Sequence, residues 1–311
     1  MLNTPIPPKN DPEGPAVPPG LPPVIDAHVH VFPDGIFQAI WKWFDKHAWP
    51  IRYRMTSAEI VDFLLSRGVQ HVVALQYAHK PGMARGLNEY MAELMAQFPG
   101  KLTGMATVLP GEPDAEAIVT DAFAAGLGGV KLHIHVQCFT MADETLHPIF
   151  QRCQDAGKPM IVHAGREPRS PAYACDPYEL CKAGAVEAVV RNFPGLRLCV
   201  PHMGIDEEET YRKLIERHDN LWLDTAVALT DFLPIDPPVQ LEKFRPDRVM
   251  YGSDFPSIGY AWDRELRQIA EMGLPGDRLA ALLGENARRF LDIPPFGLDH
   301  RFDQQRTSFQ S

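Results

Sequence analysis

Eight short apolar runs alternate along the chain with longer segments of helical periodicity. The runs cover residues 24–32, 69–76, 102–110, 128–135, 159–164, 197–202, 221–225 and 248–254. In the segments between them, at 58–66, 83–97, 114–125, 143–155, 177–192, 207–217 and 262–272, apolar residues recur three or four positions apart. Such an alternation predicts a parallel β-sheet that is covered by helices.

The number of these units narrows the choice of α/β architecture. Several runs are almost continuously hydrophobic, which is typical of parallel strands buried on both faces. Eight βα units predict a closed (β/α)8 TIM barrel in a single domain, and a chain of 311 residues is long enough to build one. The alternative is an open doubly wound sheet, but no glycine-rich dinucleotide fingerprint follows the first run.

The ends of the chain differ from its centre in composition. Residues 1–23 are rich in proline and lack the apolar stretch of a secretory signal. They are expected to form an extended arm over the protein surface or over a neighbouring subunit, with a disordered tail as the alternative. We therefore expect an arm at 1–23, the barrel at 24–293 and a C-terminal tail at 294–311.

Charge and cysteine content bear on partners and location. The net charge of −10, without a run of basic residues, argues against nucleic acid or an anionic membrane as the main partner. No apolar run approaches the roughly 18–20 residues that span a bilayer. The five cysteines form no C-x-x-C pair, which indicates reduced thiols in a cytoplasmic protein. The expected partner is a small-molecule substrate.

The first run, "IDAHVHVF", carries two histidines in an otherwise apolar segment. Because side chains alternate along a strand, Asp26, His28 and His30 share one face. Burying two imidazoles without partners would cost several kcal/mol. A metal ion held by both rings would avoid that cost, with Asp26 orienting a ligand from below. The alternative is a pair of hydrogen-bonded core histidines.

Polar residues also end three later runs. His163 ends "PMIVH", His202 ends "RLCVPH" and Asp254 ends "RVMYGSD". In a parallel barrel the carboxyl ends of all strands meet at one mouth, where active sites are built. Because only histidine and aspartate occupy these positions, a metal site is favoured over chance.

This set of residues resembles the amidohydrolase superfamily, and within it the amidohydrolase-2 branch that includes aminocarboxymuconate semialdehyde decarboxylase-like enzymes. The resemblance rests on the H-x-H of the first run, histidines ending the fifth and sixth, and aspartate ending the eighth. "YGSDFP" is similar to the branch's strand-eight signature, and "LGENARRFLDI" to its closing helix. The similarity spans roughly residues 24–293.

The resemblance implies one divalent metal ion, zinc in the first place and manganese or iron as alternatives. Its ligands would be His28, His30, His163 and Asp254. Asp254 would also accept a proton as a general base. His202 would face the substrate or the activated water and stabilise negative charge that develops there.

Further candidates for substrate binding lie within the fourth run and after the fifth run. "GGVKLHIHV" places Lys131, His133 and His135 on one face, and Lys131 or His133 is expected to bind an anionic or carbonyl group. Two alternatives stay open: a carboxylated Lys131 that bridges two metal ions, or a Lys131 that only fills the barrel while His135 lies at the exposed end of the strand. Arg166 follows the fifth run and could hold a substrate carboxylate in bidentate fashion, or could be a solvated loop residue.

An aromatic insertion at 34–55 follows the first run, and it is expected to be a pocket wall, a subunit contact or an exterior helix. With the proline-rich arm, it would suit a homodimer.

The leading prediction is a metal-dependent hydrolase that uses an activated water on a small, carboxylate-bearing amide, lactone or ester. The first alternative is a metal-dependent decarboxylase or hydratase of a small unsaturated or aromatic acid. The second is a barrel that binds metal or ligand without catalysis.

Overall fold

Eight parallel strands form the centre of the molecule in a computed structural model that describes residues 5–233 and 235–295. The strands are β1 (Val24–His30), β2 (Val69–Leu75), β3 (Leu102–Gly104), β4 (Val130–His133), β5 (Met160–His163), β6 (Leu198–Val200), β7 (Leu221–Asp224) and β8 (Val249–Met250). They pair in sequence order, as one sheet of β1–β2–β3 and another of β4 to β8. Each falls within a predicted apolar run and is no longer than it.

Backbone contacts join the two sheets at both seams. Ala106 pairs with Val130 beside β3 and β4, and Val29 pairs with Phe255 beside β1 and β8, both in the parallel sense. The amide of His30 donates to the carbonyl of Phe255 at 2.7 Å. The strands therefore close into a cylinder, which confirms the predicted (β/α)8 barrel and excludes the open sheet.

Helices cover most of the barrel. They are α1 (Asp34–His47), α2 (Ser57–Ser66), α3 (Ala84–Gln97), α4 (Ala115–Ala124), α5 (Ile134–Gln137), α6 (His147–Asp155), α7 (Pro177–Leu180), α8 (Ala183–Asn192), α9 (Glu208–Arg217), α10 (Arg264–Glu271), α11 (Gly276–Ala280) and α12 (Asn286–Leu291). Local chemistry sets some boundaries: α2 begins with a capping box between Thr56 and Glu59. Within the described ranges, none of these helices has the length and apolar character that crossing a bilayer requires.

Two connections depart from the regular pattern. The predicted helix at 177–192 is two helices, because Cys181 adopts an extended conformation between α7 and α8. Between β7 and β8 the described residues form only two 3₁₀ turns, Leu241–Lys243 and Pro246–Arg248.

Inward-facing side chains fill the barrel and are closed off by the last helix. Ile25, Val73 and Ile161 belong to one buried apolar cluster with Phe290 of α12. The side-chain amide of Asn286 donates to the carbonyl of Val249 at 2.6 Å, which holds α12 against β8. The segment "LGENARRFLDI", which is similar to the closing helix of the amidohydrolase-2 branch, therefore covers the barrel interior.

The described part of the proline-rich arm lies over its own barrel. Asp11 accepts hydrogen bonds from the Ala261 amide at 3.0 Å and from Arg264 at 2.9 Å, and Arg52 donates to it at 3.2 Å. Farther along the arm, the amide of Val17 donates to a carbonyl at the end of α2. Residues 1–4 of the arm and residues 296–311 of the predicted C-terminal tail lie outside the described residues.

Candidate metal centre and cavity

A cavity of about 570 Å³ opens at the carboxyl ends of the strands. Its floor consists of polar side chains from β1, β4 and β5 and from the segments after β4, β6 and β8. Its wall is apolar and aromatic, and α1 with its flanking residues contributes much of it. Wall residues include Ile36, Ile40, Trp43, Phe44, Tyr77 and Tyr173. The aromatic insertion thus forms a side of the cavity.

Among the described residues, two separate groups of three buried side chains could each hold a metal ion. Within each group, the possible ligand atoms lie within 4.8 Å of one another. The first group is His28, His30 and Asp254, and the second is His133, His135 and His163. The first group joins three of the four predicted metal ligands. The fourth, His163, belongs to the second group, and His202 lies between the groups with ring centroids 5.0 Å from His28 and 4.7 Å from His163.

His28 is held in one tautomer by a buried carboxylate. Its Nδ1 lies 2.8 Å from Oδ2 of Asp224, and both side chains are fully buried. Because the carboxylate accepts, Nδ1 carries the proton and Nε2 is left with a lone pair. That Nε2 is buried without a hydrogen-bond partner, 3.4 Å from Oδ1 of Asp254. A lone pair that faces a carboxylate oxygen in a buried site is unfavourable unless a proton or a metal ion lies between them.

His30 and Asp254 complete this first group. Nε2 of His30 lies 3.0 Å from Oδ1 of Asp254, while its Nδ1 is buried without a hydrogen-bond partner. Burial raises the pKa of Asp254, but the hydrogen bond from His30 and nearby positive charge outweigh that effect and lower it. Asp254 is therefore a carboxylate at neutral pH, the form that binds a metal ion.

The spacing of these donor atoms suits a single ion. Two ligand atoms about 2.0–2.2 Å from zinc at a tetrahedral angle lie about 3.3–3.6 Å apart. The separations of 3.0 Å and 3.4 Å between the Asp254 carboxylate and the two imidazoles are close to this ligand–ligand distance. Mixed nitrogen and oxygen donors are also the set that zinc, manganese and iron accept. The residues present therefore fit a divalent metal ion.

A separate observation points to positive charge between His163 and His202. Nε2 of His163 lies 3.0 Å from the carbonyl of Glu167, and Nδ1 of His202 lies 2.8 Å from the carbonyl of Ala226. Each of these nitrogens must donate, because a carbonyl can only accept. In two neutral rings, the remaining nitrogens would then direct lone pairs at each other across 3.1 Å. A proton or a metal ion is needed there.

Burial keeps the floor histidines in the form that binds metals. Desolvation lowers the pKa of His28, His133 and His163 well below the ordinary value, and lowers that of His135 to about 3. Neutral imidazole is the ligand form of histidine. Because these histidines are already neutral, little free energy is needed to remove protons when a cation binds.

The second group has unsatisfied nitrogens as well. His133 stacks on His163 with centroids 4.1 Å apart, and its Nδ1 is buried without a partner. Nε2 of His135 is also buried without a partner, while its Nδ1 lies 3.8 Å from the sulfur of Cys181. Both rings line the cavity. His135 is therefore part of the floor and does not lie at an exposed strand end.

Lys131 and Arg166, which were predicted to bind substrate, do not line the cavity. Lys131 is fully buried inside the barrel, its ammonium has no hydrogen-bond partner, and it does not line the cavity. Burial lowers its pKa to about 8. Arg166 pairs with Glu207 at 3.1 Å and donates to the carbonyl of Cys181 at 3.0 Å, also away from the lining. The structure thus favours the barrel-filling alternative for Lys131 and gives Arg166 a role in holding the loop.

Backbone strain coincides with the floor. Asp254 has φ 63° and His202 has φ 58°, both in the left-handed region that non-glycine residues rarely adopt. Each such residue costs on the order of 1–3 kcal/mol, and functional sites are where this cost is commonly tolerated. The amide of Asp254 donates to the carbonyl of His28 at 2.9 Å, which fixes the carboxylate beside β1.

Sequence reasoning overlooked Asp224, although the signal was present. The run "NLWLD" ends in this aspartate just as the other runs end in histidine or aspartate. Besides holding His28, Asp224 accepts the backbone amide of His202 at 3.0 Å. It therefore ties the sixth strand end to the first. Asp26, expected below the ligands, accepts the His28 amide at 3.2 Å and the Ser253 amide at 3.0 Å.

Comparison with known proteins identifies the family. The family model described as Amidohydrolase matches residues 25–293. A curated relative, 2-amino-3-carboxymuconate-6-semialdehyde decarboxylase of Dictyostelium discoideum, is 24% identical over 242 residues. That alignment covers 71% of this chain, and the chain spans 64% of the relative's length.

Solved structures show the same fold. An uncharacterised TIM-barrel protein from Bordetella bronchiseptica has a TM-score of 0.67 at 18% identity, covering 87% of this chain and 99% of the other. The 5-carboxyvanillate decarboxylase of Sphingomonas paucimobilis has a TM-score of 0.61 at 17% identity, covering 88% and 99%. Together with the match over residues 25–293, the barrel and its histidine–aspartate floor show that this chain belongs to the amidohydrolase family of metal-dependent enzymes.

Proposed function

We propose that the protein is a metal-dependent decarboxylase of small unsaturated or aromatic acids. The observation that carries the proposal is the division of the cavity into a floor of histidine and aspartate side chains and an apolar, aromatic wall. An acid whose carboxylate meets the floor and whose planar carbon skeleton meets the wall satisfies both halves. The decarboxylase name of the curated relative supports the same chemistry.

The wall is suited to a flat ligand. Trp43 and Tyr173 have ring centroids 4.9 Å apart, and Tyr77 meets the His133 ring at 4.9 Å. Aromatic rings in such arrangements contribute about 0.5–1.5 kcal/mol beyond the area that they bury. A substrate carboxylate inside the cavity finds no arginine among the described lining residues, and the lysine of the lining, Lys80, is exposed. The carboxylate would be bound at the floor.

His28, His30 and Asp254, whose ligand atoms lie within 4.8 Å of one another, would hold the ion, with His163 of the second group as the predicted fourth ligand and Asp224 fixing the His28 tautomer. When bound, a divalent ion supplies positive charge that binds the carboxylate and stabilises negative charge as CO2 leaves. Loss of CO2 leaves an electron pair on carbon that must take up a proton. In the imidazolium form of His202, Nδ1–H donates to the Ala226 carbonyl at 2.8 Å, so the proton on Nε2 is the one that the ring can deliver to the carbon.

Hydrolysis is the second candidate, and one observation favours it. Asp254 lies at the cavity floor and is a carboxylate at neutral pH, so it has a free acceptor oxygen that can take a proton from an attacking water. His202 would then stabilise the oxyanion of a lactone, ester or amide. The same residues thus serve either reaction, and the substrate decides between them.

A parallel assay separates the candidates. Metal-loaded protein is incubated with a panel of aromatic and unsaturated acids and with a panel of lactones and esters. CO2 release is measured alongside titratable acid. We expect CO2 release from at least one acid, lost by a factor of about 10² or more in His202→Ala, and unchanged in His147→Gln on the exposed face of α6.

Other results of this assay would overturn the proposal. Acid production from lactones without CO2 release would establish the hydrolase. Metal binding without turnover on either panel would favour the non-catalytic barrel.

A further inference from the structure

Two cysteines meet just outside the cavity. Cys138 ends α5 in a left-handed conformation with φ 53°, and Cys175 lies in the loop that leads to α7. Their sulfur atoms lie 2.7 Å apart, although 37 positions separate them in sequence. The sulfur of Cys175 also lies 3.1 Å from the carbonyl of His135. Two separate chain segments therefore present thiols to each other.

These two thiols are also the accessible ones. Cys138 is exposed and Cys175 is partly exposed, whereas the other cysteines are buried in helices, in the barrel or beside the cavity floor. Burial and the contact with Cys138 raise the pKa of Cys175 to about 12, which keeps it a thiol near neutral pH. A dissolved oxidant would therefore meet Cys138 first, with a second thiol already in contact.

We propose that Cys138 and Cys175 form a modification site, at which a hydroperoxide converts the two thiols into a disulfide. The sulfur of Cys138 attacks a peroxide oxygen, the O–O bond breaks, and a sulfenic acid forms with release of water or an alcohol. The thiol of Cys175 then attacks that sulfur, the S–O bond breaks, and a second molecule, water, leaves. Two electrons pass from the thiols to the peroxide.

The bond would tie together two segments that shape the cavity. Tyr173 lies two residues before Cys175, lines the cavity, and meets the His135 ring at a centroid distance of 4.5 Å. His135 lies in α5, three residues before Cys138. The disulfide would therefore restrain Tyr173 relative to the floor. We expect the oxidised form to show a changed KM, and a Tm raised by roughly 3–8 °C from the cross-link.

Mass spectrometry tests the site without an activity assay. Full-length protein is treated with hydrogen peroxide, remaining thiols are alkylated, and intact mass and peptides are analysed. We expect a loss of about 2 Da, one linked peptide joining residues 138 and 175, and full reversal by dithiothreitol. Cys138→Ser and Cys175→Ser should each abolish the linked peptide, whereas Cys153→Ser, at a buried position in α6, should retain it.

Two outcomes would overturn the proposal. One is sulfinic or sulfonic acid at Cys138 with Cys175 still alkylatable, since the thiols would then not meet during oxidation. The other is alkylation of both thiols after a treatment that oxidises exposed methionine. Because the linked peptide is detected directly, this test is independent of the proposed decarboxylase activity.

Discussion

At the scale of single residues, the site is defined by which ring nitrogens must carry protons. Carbonyl partners assign the proton to Nε2 of His163 and to Nδ1 of His202, and Asp224 assigns it to Nδ1 of His28. The nitrogens left over converge on the cavity floor. Their lone pairs are buried together, which is unfavourable without a cation. The hydrogen bonds outside the floor therefore prepare it for a metal ion.

Asp224 offers a direct test of this preparation. Asp224→Ala removes the acceptor for Nδ1 of His28 and for the amide of His202. We expect metal affinity to fall about 10–100-fold, because the ligand ring loses its orientation. Asp224→Asn, which keeps an acceptor oxygen, should lose less. Competition with a chromophoric chelator measures the affinity, and circular dichroism checks the fold. Equal affinity in the wild type and Asp224→Ala would contradict this assignment.

Some residues of the site could be predicted and others could not. His28 and His30 lie in the first apolar run, whereas His163, His202 and Asp254 end later runs, and the closed barrel brings these positions together. Their roles as ligands and catalysts stay predictions. The direction of a loop side chain is decided by distant partners, and no local pattern announces it. Arg166 illustrates this, since Glu207 and Tyr178 hold its guanidinium away from the cavity.

At the scale of elements, β2 and β3 are joined by a buried histidine that the site does not use. Nε2 of His71 lies 2.8 Å from the Thr103 hydroxyl, and its Nδ1 lies 3.3 Å from the Gly100 carbonyl. Burial lowers its pKa to about 4, from an ordinary value of 6.5. Between these values the unfolded chain binds a proton that the folded chain does not. Stability must therefore fall as the pH falls through this window.

Replacing His71 should flatten that dependence. Between pH 6.5 and pH 4, this one group contributes a slope of up to about 1.4 kcal/mol per pH unit to the free energy of unfolding. Urea denaturation of wild type and His71→Gln at several pH values measures the difference in slope. His147→Gln on exposed α6 should keep the wild-type slope. A slope in His71→Gln equal to that of the wild type would refute the role assigned to His71.

Asp11 is one of the residues that fasten the proline-rich arm to the barrel. Asp11 is 14% exposed and binds Arg52 and Arg264. We expect Asp11→Ala to lower the free energy of unfolding by about 1–3 kcal/mol, because charged groups lose their hydrogen-bond partner. The pair of Asp45 and Arg54 is more exposed, so Asp45→Ala should cost about 0–1 kcal/mol. Equal losses of unfolding free energy in Asp11→Ala and Asp45→Ala, measured by urea denaturation, would contradict a specific role for Asp11 in holding the arm.

Element positions followed from the sequence more closely than element boundaries. The eight strands fall in the predicted runs because buried parallel strands need continuous apolar residues. Cys181 divides the predicted helix at 177–192, and the segment between β7 and β8 has only short turns. Both features depend on packing beside the barrel mouth. Periodicity within one segment carries no information about such neighbours.

At the scale of the whole molecule, barrel closure produces the site. Residues from position 28 to position 254 meet because Val29 pairs with Phe255 and Ala106 pairs with Val130. The cavity wall is a further consequence, since α1 folds over the mouth and Trp49 donates to the Ser257 carbonyl at 2.9 Å. The barrel could be predicted from alternation alone, whereas the shape of the cavity required the placement of these connections.

The central claim is that the floor of this barrel holds a divalent metal ion. The most direct test is the metal content of protein purified without chelator and of chelator-stripped protein reconstituted with zinc, manganese or iron. X-ray absorption spectroscopy of the loaded protein identifies the ligand atoms. We expect a stoichiometric ion with imidazole nitrogen and carboxylate oxygen ligands. It should be lost in His28→Ala and retained in His147→Gln, with both variants folded. Failure of every metal to bind stoichiometrically, or equal binding in folded His28→Ala, would contradict the account.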